Sequence, residues 1–570
     1  MVWRESDSIL HYPLDDSSSG PTMFRTAREW IDTLNDNGPA LRDHLREVYG
    51  SDDVMWDSRR DHIRRAVEVF ARWFGRERRV LIARSPGRVN MMGRHVDHRG
   101  GYVNMMTVHR EIVAVASPRM DSVVRLVNLD DHFEAEEFDV SDELPHIYSC
   151  NDWHDYLCSD RVRDFNSTSM GKWSNYVRAG IYRLCHDAGQ GPFVGMDVAI
   201  AGDVPIGAGL SSSSALLVAT SLAAIAINGM RIQPAKFVDL CGEGEWFVGT
   251  RGGSSDHAAV ALAVKGKVTP ITFLPFRMDE PLDFPPGYRL VVCNSRMQAK
   301  KTEGARDTFN HRVACYEIGL ALFRKMFPAQ CERRCEASPV EYLRDLTPEN
   351  LGVGLGDLYR MIARLPENPD RTFLRQLLQD RSEWLERVFA THKQPTNYPV
   401  RAVLLFGIAE CRRSEIFGPM LASGDVAGVG EMMRLSHEGD RVVAFDADGA
   451  ARLPEARYDD ARFEQLASMA ENADPDVRRQ ADLERQPGGY ACSCWEIDEM
   501  VDIAMKVDGV VGAQLSGAGM GGCMMVLARE DAVEKVRDAL VEQYYRPRNL
   551  EPEVEVCQPV AGARVLTVEG

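Results

Sequence analysis

Apolar and polar positions along the chain follow two rhythms, and the switches between them outline the architecture. Near the N-terminus the period is helical. Phe24–Leu34, Leu41–Tyr49 and Ile63–Phe74 carry apolar stripes, with Ile63, Val67, Phe70 and Phe74 on one face of the last. Strand-like runs follow at Val80–Ala83, Ile112–Ser117 and Val123–Val127, with a turn around Pro118. Residues 141–172 read as irregular, and a helix is predicted from Trp173 to about His186. The strand Val198–Ala201 leads through Pro205, Gly207 and Gly209 and four serines into Ala215–Ile227. That run is apolar, free of Gly and Pro, and long enough for a buried helix. Pro234–Val248 predicts a helix, Ala258–Val264 an apolar segment and Arg289–Asn294 a strand. Residues 300–440 are mainly helical, with breaks at 366–369 and 395–399. Residues 445–489 are polar and punctuated by Pro and Gly, which predicts an insertion or a mobile loop. A helix Cys494–Val507, strands Val510–Leu515 and Met524–Leu527, a helix Asp531–Tyr545 and a terminal strand complete the chain. Residues 1–22, rich in Ser, Asp and Pro, predict a loosely ordered start.

Composition narrows the function classes. The 570 residues are enough for two or three domains, and a formal charge of −18 argues against nucleic acid or an anionic membrane as main partner. Thirteen cysteines, an odd number scattered singly, fit buried thiols of a reducing compartment. The close pairs Cys331/Cys335 and Cys492/Cys494 lack a further His or Cys at zinc spacing. No export signal opens the chain and no run reaches the length of a membrane span, so the expected location is the cytoplasm.

Three separated segments carry candidate chemistry. Between residues 200 and 218 a glycine-rich turn feeds a helix N-terminus, where unpaired N–H groups and the helix dipole favour an anion. The bland reading is a serine-capped core helix. The stretch is neither a Walker P-loop nor the dinucleotide fingerprint. In the second segment, Arg88, Arg94, His95, Asp97, His98 and Arg99 crowd a glycine-rich stretch whose donors and acceptors suit a polyhydroxylated ligand. A charged surface turn, or a metal site from His95, Asp97 and His98, are the alternatives. The third, Gly517–Gly522, offers backbone N–H groups to an anion or a close strand–helix contact. Asp256, on a turn of small residues eleven positions beyond Glu245, can accept a proton from a substrate hydroxyl, or serve only as a helix cap.

These segments resemble the three motifs of the GHMP superfamily of small-molecule kinases, galactokinase most of all. The resemblance rests on Gly87–Gly101, Pro205–Leu216 and Gly517–Cys523. It extends to Trp173–Val177, Cys293–Ser295, Phe309–Arg312, Ser436–His437 and Ser493–Asp498. It implies an α+β protein of two domains with a cleft between them: an N-terminal mixed α/β domain over 76–290 and a C-terminal ferredoxin-like domain over 291–570. A helical extension would cover 1–75, with insertions near 325–400 and 445–489. The implied activity is ATP-dependent phosphorylation of a sugar at its anomeric hydroxyl.

In that reading Asp256 accepts the proton or orients the attacking oxygen, with Arg88 beside it. Pro205, Gly207, Ala208, Gly209, Leu210, Ser211, Ser212 and Ser213 wrap the ATP phosphates, together with Gly517 and Gly519. Ser213 and Glu245 serve Mg2+, with Glu243 as the alternative acid. Arg94, His95 and Asp97 line the sugar site with Gly253 and Phe309. Arg94 stands where galactokinases have Glu. It would suit a uronate carboxylate, as in galacturonate, unless it points outward or pairs with a protein acid and the substrate remains galactose. Two other classes stay open at this point: a non-catalytic ATP- and sugar-binding sensor, and a dinucleotide-binding oxidoreductase using Gly517–Gly522. Oligomeric state is open.

Overall fold

The computed structural model describes residues 23–50, 52–169, 171–249, 252–297, 303–332, 339–445, 450–454 and 457–567. The expected loosely ordered start, residues 1–22, and Cys335 of the Cys331/Cys335 pair lie outside them.

Strand Arg79–Met92 organises the first half of the chain. Its residues alternate between two buried faces. Val80 and Ile82 meet Trp30, Leu34, Leu45, Val67 and Phe70 of the N-terminal helices Ala27–Asp36, Pro39–Tyr49 and Asp53–Phe74. Leu81 and Ala83 face the helices Ser174–Ala188 and Ser212–Ile227 on the other side. Coverage on both faces explains why these strands read as short apolar runs rather than as clean alternations. The sheet continues through Tyr102–Pro118, Met196–Gly202, Val123–Asn128 and Glu136–Asp139; Lys267–Thr272 pairs with Tyr102–Pro118. The last strand, Arg564–Val565, pairs with Ala83 and Arg84, so the chain's end crosses back over the expected boundary at 290.

The second sheet is antiparallel, in spatial order Val510–Leu515, Cys523–Arg529, Tyr288–Asn294, Val554–Val556. This is the ferredoxin-like arrangement, with helices Trp495–Met505 and Val533–Leu540 on one face. Between its first two strands in chain order lies a helical layer with its own core, in which Tyr316, Leu343, Leu358, Tyr359, Leu404, Phe406 and Phe463 meet. Within that layer helix Leu355–Ala363 packs against Asp460–Ala470, and Arg360 pairs with Glu464 and Glu471. The two insertions, distant in sequence, therefore fold as one body. Within 445–489, expected to be an insertion or a mobile loop, lie the helices Asp460–Ala470, Pro475–Gln480 and Leu483–Arg485, because Phe463, Leu466 and Leu483 bury an apolar stripe in this core. Residues 141–172, expected to be irregular, hold three short helices, Leu144–Ser149, Trp153–Leu157 and Asp160–Ser169. No helix among the described residues is long and apolar enough to cross a membrane.

Candidate active site

The three glycine-rich segments meet at one cleft. The turn that starts at Asp203 enters helix Ser212–Ile227 with Gly207, Gly209 and Ser211 at positive φ. Ser211 makes no capping bond, so its side chain leaves the first-turn amides of this helix uncapped where Ser212 and Ser213 line the cleft. The third segment touches the turn backbone to backbone. A Cβ on Gly209 would lie 2.4 Å from the Ser516 carbonyl oxygen, and Cys523 N donates to Ala208 O at 2.8 Å. Only glycine allows that approach.

Strand Arg79–Met92 supplies the start of the second segment, and here the structure differs from the expected loop. The strand runs on to Met92, with register shifts between Pro86 and Arg88 and between Asn90 and Met92. Such bulges re-aim side chains, and Arg88 and Asn90 both border the cleft. Arg88 makes a two-pronged pair with Asp256: Nε donates to Oδ1 at 2.7 Å and Nη2 to Oδ2, while Nη1 donates to Gly209 O at 2.7 Å. Ser211 Oγ donates to the same Asp256 oxygen, Oδ2. Asp256 lies in the first turn of helix Ser255–Leu262, where its carboxylate remains 30% exposed beside the buried Arg88. Arg88, Asp256, Gly207, Gly209, Ser211–Ser213, Glu245, Gly253, Asp97, Phe309 and Gly517 surround a cavity of about 220 Å3. Pro205 and Leu210 instead face a smaller void behind the turn, Ala208 packs against Gly522 and Cys523, and Gly519 abuts the Cys492 carbonyl. None of these four expected phosphate contacts lines that cavity.

The two acids left open in the sequence point apart. Glu245 accepts Ser213 Oγ at 3.0 Å and Ser214 Oγ at 3.1 Å, with His257 Nε2 2.9 Å away. Glu243 is turned to Arg183, 2.7 Å from its Nη2, outside the cleft. Two residues along a helix is about 200° of rotation, which sends the pair to opposite faces.

At the other end, residues 93–101 form the loop proper. His95, at positive φ, stacks on Tyr490 with centroids 4.2 Å apart and lies near Phe309. Asp97 Oδ1 is 3.1 Å from His98 Nδ1. Burial pushes the Asp97 carboxyl up, but hydrogen bonds from His98 and Ser255 outweigh it and hold it well below the usual carboxylate range. Gly253 makes room for it, since a Cβ there would meet Asp97 Oδ2 at 2.2 Å.

Arg94 follows the alternative weighed for it. The residue lines the same cavity, but its guanidinium is buried and paired within the protein. Nη2 donates to Asp440 Oδ2 and Ser436 Oγ, each at 3.0 Å, and Nη1 donates to Gln514 Oε1. Burial raises the Asp440 carboxyl, yet His95 and Arg94 together hold it down at about 2. Glu410 completes the clasp, accepting Gly93 N at 3.0 Å, Arg94 N at 3.1 Å, Ser436 Oγ at 3.0 Å and Arg413 Nε at 2.8 Å. Glu410, Asp440 and Gln514 were not singled out from the sequence; a lone acid in a helix reads as a solvated face, and only the partners 300–420 positions away make it otherwise.

Residues 68–118 match the family described as galactokinase galactose-binding signature, residues 175–263 the GHMP kinases N terminal domain and residues 462–546 the GHMP kinases C terminal. The galactokinase of Roseiflexus sp. (strain RS-1) is 24% identical over 498 residues, covering 87% of this chain and 95% of that one. The galactokinase of Chloroflexus aggregans is 28% identical over 502 residues, with the same two coverages, 87% and 95%. The crystal structure of Lactococcus lactis galactokinase complexed with galactose shares the fold, with a TM-score of 0.60 and 21% identity. It covers 88% of this chain and 98% of that one.

Proposed function

We propose that this chain, which matches the GHMP kinase N-terminal and C-terminal domains and the galactokinase galactose-binding signature, transfers the γ-phosphoryl group of ATP to the anomeric hydroxyl of galactose. The observation that carries the reading is the carboxylate of Asp256, fixed by Arg88 and Ser211 within the same cavity as the N-terminal turn of helix Ser212–Ile227. The amides of Gly207, Gly209 and Ser211–Ser213 hold the phosphates, and Gly517 closes the opposite side. Asp97, with His95 and Phe309 beside it, receives the sugar hydroxyls.

In the transfer, the sugar O1–H proton moves to Asp256, O1 forms a bond to the γ-phosphorus, and the bond from that phosphorus to the β-bridging oxygen breaks, releasing ADP. Arg88 holds the carboxylate at the attacking oxygen and adds positive charge where the transferring group carries negative charge. A positioned acid–base group of this kind contributes about 10^2–10^4-fold. Ser213 and Glu245 fit Mg2+, which is bound by one or two carboxylates plus substrate phosphates; when bound it offsets charge on the β- and γ-phosphates. With Arg94 committed to Asp440, a neutral hexose suits the sugar end better than a uronate. The described cysteines are free thiols, in keeping with a reducing, ATP-supplied cytoplasm.

ADP release with ATP, Mg2+ and a panel of galactose, galacturonate, glucuronate and arabinose tests this. Galactose-dependent turnover giving an anomeric phosphate is expected. Turnover confined to a uronate, or galactose binding without ADP release, would overturn it.

A further inference from the structure

The nucleotide loop is gripped from behind by the N-terminal helices. Strand Met196–Gly202 ends where the loop begins, at Asp203. Asp203 N donates to Glu111 O at 3.1 Å, and Asp203 Oδ1 accepts Glu111 N at 2.8 Å, tying the residue twice to strand Tyr102–Pro118. Its second oxygen, Oδ2, lies 2.7 Å from Nη2 of Arg59 on helix Asp53–Phe74 and 3.4 Å from Nη1 of Arg110. The Arg59 side chain is only 5% exposed, and its Nη1 also donates to His109 O at 3.2 Å. The neighbouring Glu111 carboxylate is fully buried. It accepts Tyr49 Oη at 2.6 Å and Arg84 Nε, and Arg84 Nη1 reaches Ala561 O at 2.7 Å and Gly562 O at 2.9 Å. Two of the N-terminal helices and the C-terminal tail thus converge on one buried charge cluster at the foot of the loop.

The foot matters because the loop is held unevenly. Its far half is tied at Ala208, Gly209 and Leu210 by Cys523 N, Arg88 Nη1 and Arg88 N. Among the described residues, the hydrogen bonds that hold its near half, 203–207, all run through Asp203. Three residues separate Asp203 from Gly207, which borders the cleft. A shift of Asp203 therefore passes directly to the amides that face the phosphates, and a misplacement of about 1 Å can cost about 10^2-fold in such a site.

We propose that Arg59 is a positioning residue for the nucleotide: through Asp203 it sets the entry of the Gly207–Ser213 loop, which makes the N-terminal helices a working part of the ATP site. The proposal rests on the reading that this loop holds the ATP phosphates. The test is calorimetric MgATP affinity, which needs no turnover, together with KM for each substrate, on the full chain carrying Arg59→Ala, Arg59→Lys, Asp203→Asn and Arg59→Ala/Asp203→Asn. Arg59→Ala should weaken MgATP binding and raise KM for ATP about tenfold while KM for galactose stays within about twofold. Asp203→Asn should do the same, the double variant should be no worse than either single one, and Arg59→Lys should recover part of the loss. MgATP affinity within twofold of wild type, equal losses for both substrates, or additive losses would overturn the proposal. If Arg59→Ala does not fold, Asp203→Asn and Arg59→Lys carry the same comparison, since both keep a polar group at each position. Wild type that binds MgATP but turns over no sugar would sink the proposed function and leave the affinity comparison to decide this one. Wild type that binds no MgATP overturns both.

Discussion

At the phosphate end of the cleft, glycines let backbone meet backbone, as where Gly209 rests on Ser516 and Cys523 N reaches Ala208 O. At the sugar end the loop 93–101 is held by side chains instead, with Arg94, Asp440, Glu410, Arg413 and Gln514 all buried and joined across the two halves of the molecule. The first construction leaves amides free to face an anion and asks only for absent side chains. The second removes charges from water, which is costly unless every charge keeps its partner. The phosphate end should therefore fail chemically when altered, and the sugar end should fail structurally.

The largest effect is expected at Asp256. Asp256→Asn keeps the shape of the side chain but cannot take a proton. It should lower kcat by about 10^2–10^4-fold, while calorimetric MgATP affinity stays within a few-fold and the unfolding midpoint in denaturant hardly moves. Turnover within tenfold of wild type would mean that the backbone cradle and Arg88 suffice. Next comes Glu410→Ala. It strips the buried Arg413 and the amides of Gly93 and Arg94 of their acceptor, and breaking a buried pair in this way costs about 3–5 kcal/mol. Denaturant unfolding should show that loss, with Glu410→Gln costing less because it retains one acceptor oxygen. Wild-type stability in Glu410→Ala would remove the contrast between the two ends.

The same contrast explains what could be seen in the sequence. Glycine constraints are local, so the segments 87–101, 205–216 and 517–523 were legible as parts of one site, with Arg88 in the first of them and Asp256 on a separate turn of small residues. Helical periods gave the first two N-terminal helices to within a few residues, whereas the third begins ten residues before the expected Ile63, at Asp53. The strand from Arg84 to Met92 was hidden because Arg88 and Asn90 break its apolar run, and they are polar because they border the cleft. The choice between Glu243 and Glu245 needed the rotational phase of helix Pro234–Glu245, which periodicity alone does not fix. Asp440 and Gln514 lie 346 and 420 positions from Arg94, and no local pattern signals such partners. Amphipathic stripes likewise announced helices in the two insertions but not that the insertions cover each other.

Acid should expose the sugar-end clasp. Asp440 is held at about 2, below the roughly 3.9 of an unfolded Asp. A depressed carboxyl contributes its stability above the unfolded value and loses it as pH falls through the folded one, here between about 4 and about 2. The stability gap between wild type and Asp440→Asn, measured by denaturant unfolding, should thus narrow as pH is lowered from 5 to 3. A constant gap would mean that Arg94 and His95 do not hold the charge.

The smallest effect expected is also the most local. Gly252 and Gly253 are adjacent, yet a Cβ on Gly252 would meet nothing within 4 Å, whereas one on Gly253 would press on Asp97 Oδ2 at 2.2 Å. Neither glycine needs a positive φ, so alanine tests space rather than backbone freedom. Gly253→Ala should push Asp97 away from Ser255 and His98 and raise KM for galactose about tenfold, equivalent to about 1.4 kcal/mol, with KM for ATP unchanged. Gly252→Ala should leave both within about twofold. Equal behaviour of the two variants in steady-state kinetics would show that Asp97 tolerates displacement, and that the sugar end is not held as tightly as its buried charges require.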